Sequence, residues 1–131
     1  MNVTYIQHSG FSVDFADMML VFDYWMGEIT IPEDKSVYGF VSHAHHDHFN
    51  EEIFEWERSG VDIRYILSDD INADPAENRI LLGLDEFCDL GNIKIKTLRS
   101  TDEGVAFFVS IQTCSAIWVI SFLTSKKASL R

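Results

Sequence analysis

Cysteine is scarce in this chain of 131 residues: only Cys88 and Cys114 occur, in apolar or strand-like contexts and without CxxC spacing. That argues against a redox motif or a cysteine-built zinc knuckle, and both residues are expected to be buried thiols. No run of eighteen or more apolar residues occurs, which argues against a membrane-spanning helix. The segment from Met1 to Gly10 lacks the basic start and apolar stretch of a signal peptide, so a cytoplasmic location is expected. Basic residues are also few, ten Lys and Arg against twenty-one Asp and Glu, for a formal net charge of −11. Stable nucleic-acid binding through a broad basic surface is therefore not expected, because neutralising phosphates takes clustered Lys and Arg. Two absences are local: no histidine follows His48, and no acidic residue follows Glu103.

What is present suits one compact domain over 1–131. At 47% hydrophobic and 13% aromatic residues the chain has the apolar material for a core. Val3 to Ile6, Gly10 to Asp14 and Met18 to Asp23 are short β-prone runs broken at Ser9-Gly10 and Ala16-Asp17, which predicts an opening antiparallel meander. Tyr24 to Ser36 has neither helical nor alternating periodicity and reads as a loop. Val37 to Ser42 is the next strand and runs straight into a cluster of histidines.

After His48, Asn50 is placed to cap a helix whose first turn carries Glu51 and Glu52, favourable at the positive end of the helix dipole. Gly60 ends that helix, and Asp62 to Leu67 reads as a second buried strand. Strand, helix, strand from Val37 to Leu67 is then one parallel crossover unit, so the fold class is α/β rather than a pure β-barrel. Ala76 to Leu82 is read as a short helical turn. Ile93, Ile95 and Thr97 alternate with Lys94, Lys96 and Leu98, the pattern of a strand with one wetted face. Val105 to Gln112 and Ala116 to Leu123 read as two more buried strands.

The segment Ser42-His43-Ala44-His45-His46-Asp47-His48 carries the chemistry. His43 and His45 are two apart at a strand end, so their imidazoles project to the same side and can reach one cation, while His46 points away. Asp47 and His48 follow where the chain turns, and place a carboxylate and another imidazole nearby for a second cation. Imidazole and carboxylate without thiolate suit zinc first, with iron or manganese as alternatives.

This HxHxDH loop resembles the metal-binding loop of the metallo-β-lactamase superfamily, which includes glyoxalase II, ribonuclease Z and many lactonases. Tyr5-Ile6-Gln7-His8-Ser9-Gly10-Phe11 is similar to the opening strand and turn of its sugar-lactone-hydrolase-like branch, and Leu20-Val21-Phe22-Asp23 to the strand that ends in Asp beneath the site. The resemblance covers roughly Met1 to Val109. It implies an αβ/βα sandwich, of which this chain would form the N-terminal half, and a metal-dependent hydrolase acting on a small-molecule ester or lactone, or on a phosphodiester. It further implies that His43 and His45 hold a first zinc and Asp47 and His48 a second, with up to two ions in intact relatives. Two such ions acidify a bridging water, and Asp47 is the catalytic residue that receives or delivers the proton. His8 and Asp23 would orient a ligating imidazole, or else serve as ordinary turn residues.

The match breaks downstream. In the superfamily a third histidine, a bridging Asp and a last histidine follow, and none has a counterpart here. Ser100 to Val105 occupies the place of the third histidine, so Asp102 is either a substitute ligand or an exposed turn carboxylate. With the loss of acidic residues after Glu103, the preferred account of residues 113–131 is a truncated or frame-shifted end. The alternative function is then a catalytically impaired remnant acting as a metal-binding or interaction module. A half-sandwich would leave apolar residues uncovered, with Phe107, Phe108, Ile111, Ile117, Trp118, Ile120 and Phe122 as candidates for a homodimer contact.

Overall fold

The computed structural model describes residues 1–7, 10–100, 104–113 and 116–122. Among these the chain is mostly β, with ten strands in two sheets and one short helix. The strands are β1 (Asn2–Gln7), β2 (Gly10–Asp14), β3 (Met18–Phe22), β4 (Ser36–Val41), β5 (Ile63–Ser68), β6 (Arg79–Leu82), β7 (Phe87–Asp89), β8 (Ile93–Arg99), β9 (Val105–Gln112) and β10 (Ile117–Phe122). The helix, Glu51–Ser59, lies between β4 and β5 and is of 3₁₀ type. No helix among the described residues is long and apolar enough to cross a membrane. The chain forms two compact units, Met1–Leu81 and Leu82–Arg131.

In the first unit six strands run in the order β1-β2-β3-β4-β5-β6. The expected meander is there: β1 pairs antiparallel with β2, and β2 with β3. So is the crossover, because β3, β4 and β5 are parallel, with Leu20 opposite Tyr38 and Tyr38 opposite Arg64. β3 reads Met-Met-Leu-Val-Phe and is buried at every position, as a central strand covered on both faces must be. Asn50 caps the helix by accepting from the Glu52 N–H, and Gly60 ends it in the left-handed region at φ 80°. The helix buries Ile53 in a cluster with Met19, Val21, Val41, Tyr65 and Leu67, against which Phe54 and Trp56 also pack.

The sequence reading needs correction at Ala76 to Leu82. That stretch is no helical turn: Tyr65 N–H donates to the Asn78 carbonyl at 2.7 Å, and the chain continues as edge strand β6 beside β5. Its apolar Ile80, Leu81 and Leu82 form too short a run to carry a period, and a free sheet edge decided their conformation.

In the second unit β7 to β10 form an antiparallel sheet in the order β10-β9-β8-β7. β8 buries Ile93, Ile95 and Thr97 and exposes Lys94 and Lys96, as its alternation predicts. β10 does not follow expectation. It is an edge strand, with Ile117 70%, Trp118 37% and Val119 57% exposed. Of the residues expected to be uncovered, Phe107, Ile111 and Phe122 are buried, the first two because β9 alternates inward and outward from Phe107 onwards.

Candidate metal centre

The chemistry-bearing residues collect where the parallel strands end. β3 stops at Phe22, and Asp23 turns the chain with φ 48°, a left-handed conformation that Asp tolerates better than most residues. Its N–H donates to the Phe40 carbonyl at 2.8 Å, which keeps it against β4. Gly10 makes the turn fit, because a Cβ there would lie 2.9 Å from the Asp23 carbonyl oxygen and 3.1 Å from that of Gln7. No side chain is accommodated at that approach.

The Asp23 carboxylate reaches across to the residues that follow β4. Oδ1 accepts the Ser42 N–H at 2.7 Å, and Oδ2 accepts the Ser42 hydroxyl at 2.6 Å. His48 Nδ1 lies 2.9 Å from the same Oδ2. Asp23 is fully buried, and burial raises its carboxyl above the ordinary aspartate pKa, opposed by the hydrogen bonds from His48 and Ser42.

A tight turn folds the histidine loop: His48 N–H and Phe49 N–H both donate to the His45 carbonyl, at 2.9 and 3.0 Å. His43, already buried behind the turn, then has its ring centroid 4.0 Å from that of His48 and 4.8 Å from that of His45. Asp47 Oδ2 lies 3.7 Å from His48 Nε2. His46 sits edge-on to Trp25 with ring centroids 6.0 Å apart. Two ties hold the loop from outside, Ala44 N–H donating to Asp70 Oδ2 at 3.2 Å and the Asn50 amide donating to the Trp25 carbonyl at 2.6 Å.

Asp23, His43 and His48 therefore form a buried group, with one ligand atom of each within 4.8 Å of the others, that could hold a metal ion. His45, exposed, and Asp47, half-buried, stand at its edge beside His43 and His48. Reasoning from sequence gave no role to Ser42 or Asp70. Nothing local marks either, since each acts on a residue that only the sheet brings near. His8 and Asp102 lie outside the described residues.

No protein-family model matches the sequence, and no curated protein matches it either. Solved structures do. The crystal structure of CmlA, a diiron β-hydroxylase from Streptomyces venezuelae, is similar with a TM-score of 0.64 at 14% identity, over 92% of this chain and 28% of that one. The likeness is one of fold. It covers most of this chain, which itself spans 28% of the length of CmlA. A protein of unknown function from Enterococcus faecalis V583 is similar with a TM-score of 0.49 at 11% identity, over 86% of this chain and 39% of that one.

Proposed function

We propose that this chain carries the first half of an αβ/βα sandwich and the metal-binding loop of a metal-dependent hydrolase, acting on an ester, lactone or phosphodiester. The observation that carries the reading is the buried meeting of Asp23, His43 and His48, with His45 and Asp47 beside it.

The donor set fits a cation such as zinc. Each of His43 and His48 makes its hydrogen bond through Nδ1, to Ser42 and Asp23 respectively, which leaves Nε2 as the ring nitrogen for a metal. Asp23 is better suited to orienting than to ligating, because both its oxygens already accept bonds from Ser42 or His48. His43, His45, Asp47 and His48 would then be the ligands. Bound there, zinc or iron would supply Lewis acidity at the scissile carbonyl or phosphoryl group and acidify the attacking water. Asp47, half-buried beside His48, would take that water's proton at a carboxylate oxygen and return it to the leaving group.

Elemental analysis of the purified chain equilibrated with zinc, followed by turnover assays on the three substrate classes, tests this reading. Bound zinc with turnover supports it, and loss of both in His43→Ala and His48→Ala ties them to the loop. No bound metal overturns it. Bound zinc without turnover favours a second reading, a metal-binding module without catalysis.

A further inference from the structure

We infer that Ser42 is a positioning residue that sets the tautomer of His43 by linking it to Asp23, so that one buried side chain presents two imidazoles to the same site. The inference rests on the metal-binding reading above and concerns how the chain prepares its own ligands.

The argument is a count of protons. A serine hydroxyl has one hydrogen to donate and two lone pairs to accept with. Ser42 Oγ has two partners in reach, Asp23 Oδ2 at 2.6 Å and His43 Nδ1 at 2.9 Å, and is wholly buried, so bulk water offers no alternative. The Ser42 hydroxyl donates to Asp23 Oδ2 at 2.6 Å, a short and well-formed O–H···O bond. Ser42 therefore spends its hydrogen on Asp23. Its lone pair is what remains for His43, and Nδ1 of that ring must carry the proton, leaving Nε2 as a base.

The same carboxylate deals with His48 directly. Nδ1 of His48 lies 2.9 Å from Asp23 Oδ2, a direct hydrogen bond with no relay between them. The two rings thus end in one protonation pattern by two routes, and their centroids are 4.0 Å apart. The backbone secures the relay, because Ser42 N–H donates to Oδ1 of Asp23 at 2.7 Å and so fixes the Ser42 Cα relative to the acceptor. Threonine at this position retains the hydroxyl. Alanine removes it, and leaves His43 Nδ1 without the partner that selects its tautomer while His48 keeps its own.

The test is nitrogen-15 NMR of the imidazoles in the metal-free, full-length chain at neutral pH, compared among wild type, Ser42→Ala and Ser42→Thr. Wild type should show His43 and His48 both protonated at Nδ1. Ser42→Ala should redistribute the His43 proton towards Nε2 with His48 unchanged, and Ser42→Thr should restore the wild-type pattern. Zinc affinity of Ser42→Ala should fall roughly 10- to 100-fold, the range for losing a partner that orients a ligating histidine. Finding the wild-type His43 proton on Nε2, or an unchanged tautomer and affinity in Ser42→Ala, overturns the inference. Should Ser42→Ala fail to fold, the wild-type and Ser42→Thr spectra decide alone. Failure of the chain to bind zinc would defeat the proposed function, yet the tautomer in the metal-free protein would still answer the question asked of Ser42.

Discussion

Asp23 Oδ2 lies 2.9 Å from His48 Nδ1, so a residue that ends the third strand holds an imidazole 25 positions further along the chain. The bond is buried and shares its acceptor with the Ser42 hydroxyl. Much of what the loop can do follows from this contact.

Asp23→Asn should destabilise the chain and weaken zinc binding together. The amide keeps the volume, but its NH₂ group cannot accept from the three donors now shared between the two carboxylate oxygens. Leaving one buried donor unpaired costs about 1–3 kcal/mol. Urea denaturation and a zinc titration measure the two effects, and an unchanged midpoint and affinity would count against the clamp.

Gly10→Ala should act at a distance on the same residue. The added Cβ meets backbone oxygens of Asp23 and Gln7 at 2.9 and 3.1 Å, and neither can swing aside as a flexible side chain would. A loss of about 1–3 kcal/mol is expected from overpacking, with weaker zinc binding because Asp23 must shift. Thermal melts with and without zinc separate the two effects.

Two neighbouring histidines should behave oppositely. His45 lies against His43, whereas His46 lies edge-on to Trp25. His45→Ala should weaken zinc binding sharply and His46→Ala should leave it unchanged, as read by calorimetric titration. Equal losses in both would mean that the loop binds metal as a loose polar cluster.

Away from the loop, Tyr65 should set the alkaline limit. Its hydroxyl donates to the Ile53 carbonyl at 2.6 Å, and burial is the main cause that raises its pKa above the ordinary tyrosine value of 10.0. Above that value the unfolded chain gives up the proton first, so the folded state binds more protons and stability falls as pH rises. The contribution is complete below about pH 10 and is lost progressively above it, towards the raised folded-state pKa. Tyr65→Phe keeps the ring that packs against Phe54, loses about 1 kcal/mol with the hydrogen bond, and should remove this part of the alkaline slope. Denaturation midpoints between neutral and alkaline pH check it.

Local pattern was enough for the parts of the fold that are written in neighbouring residues. The continuous apolar run of β3, the mostly apolar β5, the Asn50 cap, the Gly60 stop and the alternation of β8 each depend on a period or a turn chemistry that spans a few positions. β6 was not legible in this way, nor was the exposure of β10, although its strand character was. Edge strands take their conformation from the neighbour they pair with and from what covers them, and neither is encoded locally.

The loop divides along the same line. The spacing of His43, His45, Asp47 and His48 makes them candidate ligands before any fold is known, because ligand type and separation are properties of the string. Resemblance left Asp23 between orienting an imidazole and turning the chain; that it bonds His48, that Ser42 links it to His43 and that Asp70 holds Ala44 were decided only by folding. Parallel pairing of β3 with β4 brings residues 19 positions apart into hydrogen-bond contact, and the left-handed turn at Asp23 aims the carboxylate at them. A short hydrogen bond between distant residues leaves no periodic trace in either segment, so only the assembled sheet could reveal it.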